Sequence, residues 1–209
     1  MITIRRNRIV HAVVLILTLL LAHGAAAESN ATSKDPSTFI EQLASQAIKV
    51  LSSPNGSLRD RENKFRDILR DDFAMEQIGR FVAGSYWRQM SPAQRETYQK
   101  LFSEWVLKTY SVRLGGYSGE RFKVIKATPA GDKDVIVHTR INKQSGNGFN
   151  ANWRVRQTGD RYKIIDIYVE GVSMAITQRS EFDSLFRRHG VDGMLAILRD
   201  KVSKLSASS

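Results

Sequence analysis

The sequence predicts an α+β fold: a twisted antiparallel sheet of about four strands, with N- and C-terminal helices packed over it. Three observations carry this. Apolar residues recur at helical spacing as far as Gly115-Gly116, switch to a period of two between Phe122 and Val169, and return to helical spacing at the C-terminus. The strand segments are joined by short glycine-containing loops, the mark of a meander. Helices, then strands, then helices is a segregated layout, unlike the alternation that builds a parallel sheet.

Each element follows from local residues. Asp35-Pro36 reads as an N-cap and first-turn proline, and Phe39, Leu43, Ala47 and Val50 share a helical face up to about Ser52. Ser53-Pro54-Asn55-Gly56 is a turn. A second helix runs from about Ser57 with Leu58, Phe65 and Leu69 on one face, and a short third covers Phe73 to Phe81 and closes at Gly84. Ser91-Pro92-Ala93-Gln94 combines an N-cap serine, a proline at the first position and a capping-box glutamine. Tyr98, Leu101, Phe102, Trp105, Val106, Thr109 and Tyr110 continue that helix. The strands follow: Phe122 to Lys126, Val135 to Asn142, Phe149 to Arg156 and Tyr162 to Val169. Phe182, Leu185 and Phe186 mark a helix that ends at Gly190, and Asp192 caps another bearing Met194, Leu195, Leu198 and Val202. The N-terminal helices are expected to cover the apolar face of the sheet.

The 209 residues are 42% hydrophobic and 25% charged, which supports a packed core and excludes a largely disordered chain. There is no cysteine, so disulfides, thiolate nucleophiles, iron–sulfur clusters and cysteine-built zinc sites are excluded. Arg5, Arg6 and Arg8 precede an apolar run from Ile9 to Ala22, and Ala25-Ala26-Ala27 offers small residues for cleavage. This is the tripartite pattern of an export signal, too short for a membrane span of about 20 residues. Residues 1–27 are therefore read as a signal peptide, 28–205 as one domain and 206–209 as a disordered tail. Export points to the periplasm. The net charge of +11 then suits anionic lipids or acidic proteins better than nucleic acid.

Catalytic constellations are scarce. His138 lies on the polar phase of a strand and His189 at a helix end, without metal-ligand spacing. Gly171-Val172-Ser173-Met174-Ala175 resembles a nucleophile elbow, but Ala175 replaces its last glycine. Asp183 and His189 crowd within 16 residues of that serine, and the preceding strands are antiparallel. Ser173 reads instead as a helix cap or a local backbone partner. Asp166 interrupts the apolar alternation of the last strand. It is either a general base facing a pocket, as in isomerases on cone-shaped α+β folds, or a carboxylate paired with Arg154 or Arg156 on the adjacent strand. Large apolar surface is abundant, and its aromatics either pack a core or line a ligand cavity.

Two signatures carry a family resemblance. The first is Gly79-Arg80-Phe81-Val82-Ala83-Gly84-Ser85-Tyr86-Trp87-Arg88, followed by Gln94-Arg95, Tyr98 and Phe102. The second runs from Tyr162 through Ile165-Asp166-Ile167-Tyr168-Val169-Glu170-Gly171-Val172-Ser173-Met174, with Arg179 and Phe182 after it. Together they resemble the MlaC family of periplasmic phospholipid-binding components of lipid-transport ABC systems, also known as toluene-tolerance auxiliary proteins. The similarity spans about Phe39 to Leu198, and a hopanoid-associated subgroup of the family fits equally well.

The resemblance implies a strongly twisted antiparallel sheet wrapped by N- and C-terminal helices that enclose an apolar pocket, and it implies a lipid carrier: acyl tails in that pocket, the head group toward solvent, and transfer between membrane-bound complexes of the inner and outer membranes. It implies no catalysis and no cofactor, and a monomer is expected. The alternative from another class is an exported small-molecule isomerase or binding domain. Strand phase and helix face nominate Phe73, Phe81, Val82, Trp87, Trp105, Tyr110, Val137, Trp153, Ile165, Ile167 and Val172 as the lipid-binding lining.

Overall fold

The computed structural model describes residues 35–51, 57–111, 121–143 and 147–207. The export signal, the turn at residues 53–56, the Gly115-Gly116 stop and residues 208–209 lie outside them.

Helix α1 spans Pro36–Leu51 and α2 spans Leu58–Asp72. Asp35 Oδ2 accepts the Thr38 N–H at 2.7 Å, and Ser57 and Asp60 close a reciprocal capping box. Helix α3 covers Met75–Ala83, a single turn α4 covers Tyr86–Gln89, and α5 covers Pro92–Ser111. The capping box at α5 forms as expected: Gln94 N–H donates to Ser91 Oγ at 3.2 Å and Ser91 N–H to Gln94 Oε1 at 2.9 Å. Phe73 is not helical, in contrast to the expected start of α3. It is extended and bridges Ile164, while Ala74 N–H donates to the Ile164 carbonyl at 2.9 Å. The strand edge captures this connection, so α3 begins two residues late.

The sheet is a five-stranded antiparallel meander in the order β1 (Arg121–Pro129), β2 (Asp134–Asn142), β3 (Phe149–Thr158), β4 (Arg161–Val169), β5 (Val172–Ser173). The fifth strand is two residues long and escapes any periodicity test. It forms because Glu170 (φ 48°) and Gly171 (φ 81°) make a two-residue turn with both φ values positive, closing Val169 onto Val172. Glu170 sits there against its steric preference, anchored to β3: its side chain accepts the Asn150 N–H and its own N–H donates to the Asn150 carbonyl.

Helix α6 runs from Met174 to Ala207 and is broken at Gly190, whose φ of 65° and ψ of −172° are non-helical. The two helices expected there therefore exist as two halves of one element, and the second continues past the expected start of the tail. Asp192 lies in that second half and accepts from Gln94 Nε2 at 2.7 Å, tying α6 to the start of α5.

Buried side chains form two clusters. One joins Ile40 and Leu43 of α1, Phe65 and Leu69 of α2 and Leu107 of α5 to the inner face of the sheet, including Val137, Ile141, Trp153, Val155 and Ile164. The other is helical: Val82, Tyr98, Phe102, Phe182, Phe186, Met194 and Leu198 from α3, α5 and α6. Tyr98 is its centre, fully buried, with its hydroxyl donating to the Gly79 carbonyl at 3.1 Å. A side chain at position 79 would meet Gln99 Oε1 at 2.4 Å, so glycine lets α3 approach α5. Met75 and Val106 pack against both clusters.

Candidate functional site: an apolar cleft between two cores

The seam between the clusters is not closed. A narrow cleft of about 110 Å³, partly open to solvent, lies between α2, α3, α5, the start of α6 and strand β4. Phe65 and Leu69 form one wall, Val82, Phe102 and Trp105 the opposite one, and Met174 and Ala175 the end from α6. Among the described residues, Asp166 and Gln178 are the only charged or amide side chains on it.

Strand β4 contributes four consecutive residues, Ile164 to Ile167, which a regular strand does not do because neighbours alternate faces. A bulge explains it. Arg154 pairs with Asp166 and Val155 with Ile164, leaving Ile165 unpaired and turning the strand.

Of the nominated lining, Phe73, Val82, Trp105, Tyr110, Ile165 and Ile167 border the cleft. Phe81, Trp87, Val137, Trp153 and Val172 do not. Val137 is fully buried at mid-sheet in the first cluster, and Trp153 donates from Nε1 to Thr139 Oγ1 at 3.2 Å there. The alternation phase placed both on the right face of the sheet, but α1 and α2 seal that face. Phe81 turns outward, 40% exposed, with the Arg179 guanidinium 4.9 Å from its ring centre. Trp87 packs edge-on against Tyr98 and under Arg95, and Val172 is exposed on the short fifth strand. The apolar residues missed are Ile164 on β4 and, on the helices, Phe65, Leu69, Met75, Ile78, Phe102, Val106, Met174 and Ala175. What an apolar pattern does not disclose is which neighbours leave a gap.

Asp166 borders the cleft, yet its oxygens are engaged. Oδ2 accepts the Ser173 hydroxyl at 2.5 Å, and Oδ1 accepts the N–H groups of Ala175 at 3.0 Å and Ile167 at 2.8 Å. Ser173 Oγ in turn accepts the Ile176 N–H at 3.1 Å, the N-cap bond expected of it. This carboxylate thus fastens the first turn of α6 to β4, where the helix dipole also favours a negative charge. The pairing with Arg154 or Arg156 does not occur. Both arginines bind the buried Asp134 instead, Arg154 Nε at 2.8 Å and Arg156 Nε at 2.6 Å. Hydrogen bonds from Arg156, then Arg154, hold the Asp134 carboxyl below the usual carboxylate range. Asp166 faces the end of α6, and Asp134 is the acid the arginines can reach. His138 is bonded to Thr128 Oγ1 at 2.8 Å, and His189 is exposed just before the Gly190 break.

The signatures therefore build the frame more than the lining. The second makes the Glu170-Gly171 turn, the Ser173 cap and the Asp166 latch that launch α6 over the cleft. The first packs α3 and α4 against α5: Arg95 Nε donates to the Trp87 carbonyl at 2.9 Å, and Gly84, at φ 59°, lets Arg179 pass beside it.

Comparison with known proteins agrees with this architecture. The family profile described as "MlaC protein" matches residues 41–200. The intermembrane phospholipid transport system binding protein MlaC of Haemophilus influenzae is 24% identical over 198 residues, covering 90% of this chain and 92% of the relative. The toluene tolerance protein ttg2D of Pseudomonas putida is 22% identical over 107 residues, about half of each chain (51% and 50%). Among solved structures, a phospholipid-binding protein from Ralstonia solanacearum, determined in complex with a phospholipid, superposes with a TM-score of 0.69 at 21% identity. That match covers 82% of this chain and 99% of the other.

Proposed function

The chain belongs to the MlaC family, and on that premise we propose that it is a periplasmic lipid carrier. It takes the acyl chains of a phospholipid into the cleft between its two cores and moves lipid between inner- and outer-membrane partner complexes. The observation that carries this reading is the cleft itself. Its walls are almost wholly aliphatic and aromatic, and it lies where two independently packed clusters meet. Chains entering there separate the clusters without opening either one. Each buried methylene contributes about 0.8 kcal/mol, so affinity needs no covalent chemistry and no cofactor.

The latch bears on the competing enzyme reading. A general base needs a free lone pair aimed at substrate, whereas the oxygens of Asp166 hold the start of α6.

The test is native mass spectrometry of the exported protein, purified without detergent, with bound material extracted and identified. A diacyl phospholipid supports the proposal. A hopanoid or other polycyclic lipid keeps the carrier and changes its cargo. A single ligand-free mass that persists after incubation with phospholipid vesicles refutes it. Ala175→Trp, which fills the end of the cleft from the first turn of α6, is expected to lower lipid occupancy severalfold while the protein stays folded.

A further inference from the structure

Beside the apolar cleft runs a second, open groove of about 740 Å³, between α2, the start of α3, α5 and the β3–β4 turn. The two share Leu69, Phe73 and Met75 as a common wall. Their other linings differ in kind. Among the described residues the groove carries Arg66, Arg70, Arg80 and Lys163 against the single acid Glu76, with Gln77, Ser103 and Thr158 between them.

The chain places these cations in step with the apolar lining. On α2, Phe65 and Leu69 face the cleft, and the next residues, Arg66 and Arg70, border the groove. On α3, Met75, Ile78 and Val82 face the cleft, while Glu76, Gln77 and Arg80 border the groove. One apolar row and one basic row thus run side by side, matching a molecule with apolar chains and an anionic head.

The cations are not equally available. Arg66 pairs with Glu104, and Arg70 with Asp67 at 2.9 Å and Asp71 at 2.8 Å. Lys163 donates one N–H to the Arg70 carbonyl at 3.2 Å, and its charge also acts on Asp71 and Asp72. The Arg80 side chain makes no ion pair or hydrogen bond among the described residues. Arg80 and the remaining donors of Lys163 are the groups left to meet a ligand.

We propose that this groove holds the phosphate of the bound lipid's head group, so that the protein favours glycerophospholipids of net negative charge over zwitterionic ones. The inference rests on the carrier reading and adds head-group selection to it. A phosphate there gains charge-assisted hydrogen bonds from a guanidinium and an ammonium while its chains remain in the cleft, and a zwitterionic lipid, which offers the same phosphate, also brings its own head-group cation against these two like charges. Both cations sit close to solvent, so each contributes a modest, salt-sensitive preference.

The test incubates the exported protein with vesicles of equimolar phosphatidylglycerol and phosphatidylcholine carrying identical chains. Both total bound lipid and the ratio of the two lipids are then read by mass spectrometry. Wild type is expected to enrich phosphatidylglycerol, and Arg80→Gln with Lys163→Gln to reduce that enrichment by roughly three- to tenfold at unchanged total occupancy. Arg80→Lys should retain most of it. Bound lipid with no enrichment, or enrichment that survives the double substitution, overturns the inference and leaves the carrier standing. No bound lipid in wild type overturns the carrier reading and this one with it. Titration with inorganic phosphate, followed by NMR, separates the remaining source. Saturable phosphate binding at Arg80, without any lipid preference, would make the groove a free-phosphate site and refute its assignment to a head group.

Discussion

Replacing Asp166 with alanine and, separately, with asparagine distinguishes a latch from a simple charge. The carboxylate accepts three hydrogen bonds, one from the Ser173 hydroxyl and two from the backbone N–H groups of Ile167 and Ala175. Alanine leaves the Ala175 N–H, a first-turn donor with no intrahelical acceptor, unsatisfied in a half-buried setting and removes an anion from the N-terminal turn of α6. An unsatisfied donor costs about 1–3 kcal/mol and a lost helix cap about 1 kcal/mol, so the combined loss is about 3 kcal/mol. At about 2–4 °C per kcal/mol for a chain of this size, the melting temperature should fall by roughly 6–12 °C. Asparagine keeps one oxygen where Oδ1 receives both N–H groups. Its amide then donates to Ser173 Oγ, which changes from donor to acceptor. The loss is the charge assistance and one hydroxyl donor, about 1 kcal/mol, or roughly 2–4 °C. Thermal and urea unfolding followed by circular dichroism measure both. Equal losses for the two variants would show that charge alone matters and that the bonding geometry has been misread. A negligible loss for alanine would show that α6 needs no latch. Lipid occupancy should survive the asparagine substitution, as a catalytic acid would not.

Asp72 ends α2, where its negative charge opposes the helix dipole, and burial, then the neighbouring Asp71, pushes its pKa up to about 6; the charges of Lys163 and Arg161 pull the other way. Its folded pKa lies above the unfolded value, so ionisation weakens the fold at neutral pH and stability rises as pH falls from about 6 to about 4. Asp72→Asn should therefore stabilise at pH 7 by about 1 kcal/mol and lose that advantage below about pH 4 in urea melts. Asp134 shifts the other way, so its contribution is present at neutral pH and lost as pH falls through its depressed folded pKa. Asp134→Asn should cost about 2 kcal/mol at pH 7 and less in acid. Burial raises the Tyr98 hydroxyl pKa, so stability should fall as pH rises above about 10, the unfolded value. Tyr98→Phe, which leaves the Gly79 carbonyl without its donor, should cost about 1 kcal/mol at neutral pH and flatten that alkaline decline.

Much of the frame was legible before any coordinates. Caps at Asp35, Ser57 and Ser91 set helix starts because one side chain there satisfies a backbone donor that nothing else reaches. The meander was legible because alternation and glycine turns are properties of neighbouring residues. Phe73 and the β4–β5 turn were not. The first left its helical pattern to bridge Ile164, and the second turned on a positive φ at a glutamate, which sequence preference argues against.

The cleft divides the same way. Residues such as Trp105, Tyr110 and Ile167 were recognisable as inward-facing because hydrophobicity and periodicity are written in the chain itself. Whether a buried side chain fills a core or borders a space depends on what faces it from elsewhere in the sequence. Trp153 is covered by the helices over the sheet, while Phe65 and Phe102 look across the seam where two clusters fail to interdigitate. Sequence by itself determined the elements, their order and an apolar excess consistent with a carrier. The tertiary structure alone decided where that excess stays unpacked, because a gap is a relation between surfaces distant in the chain and leaves no local pattern to read.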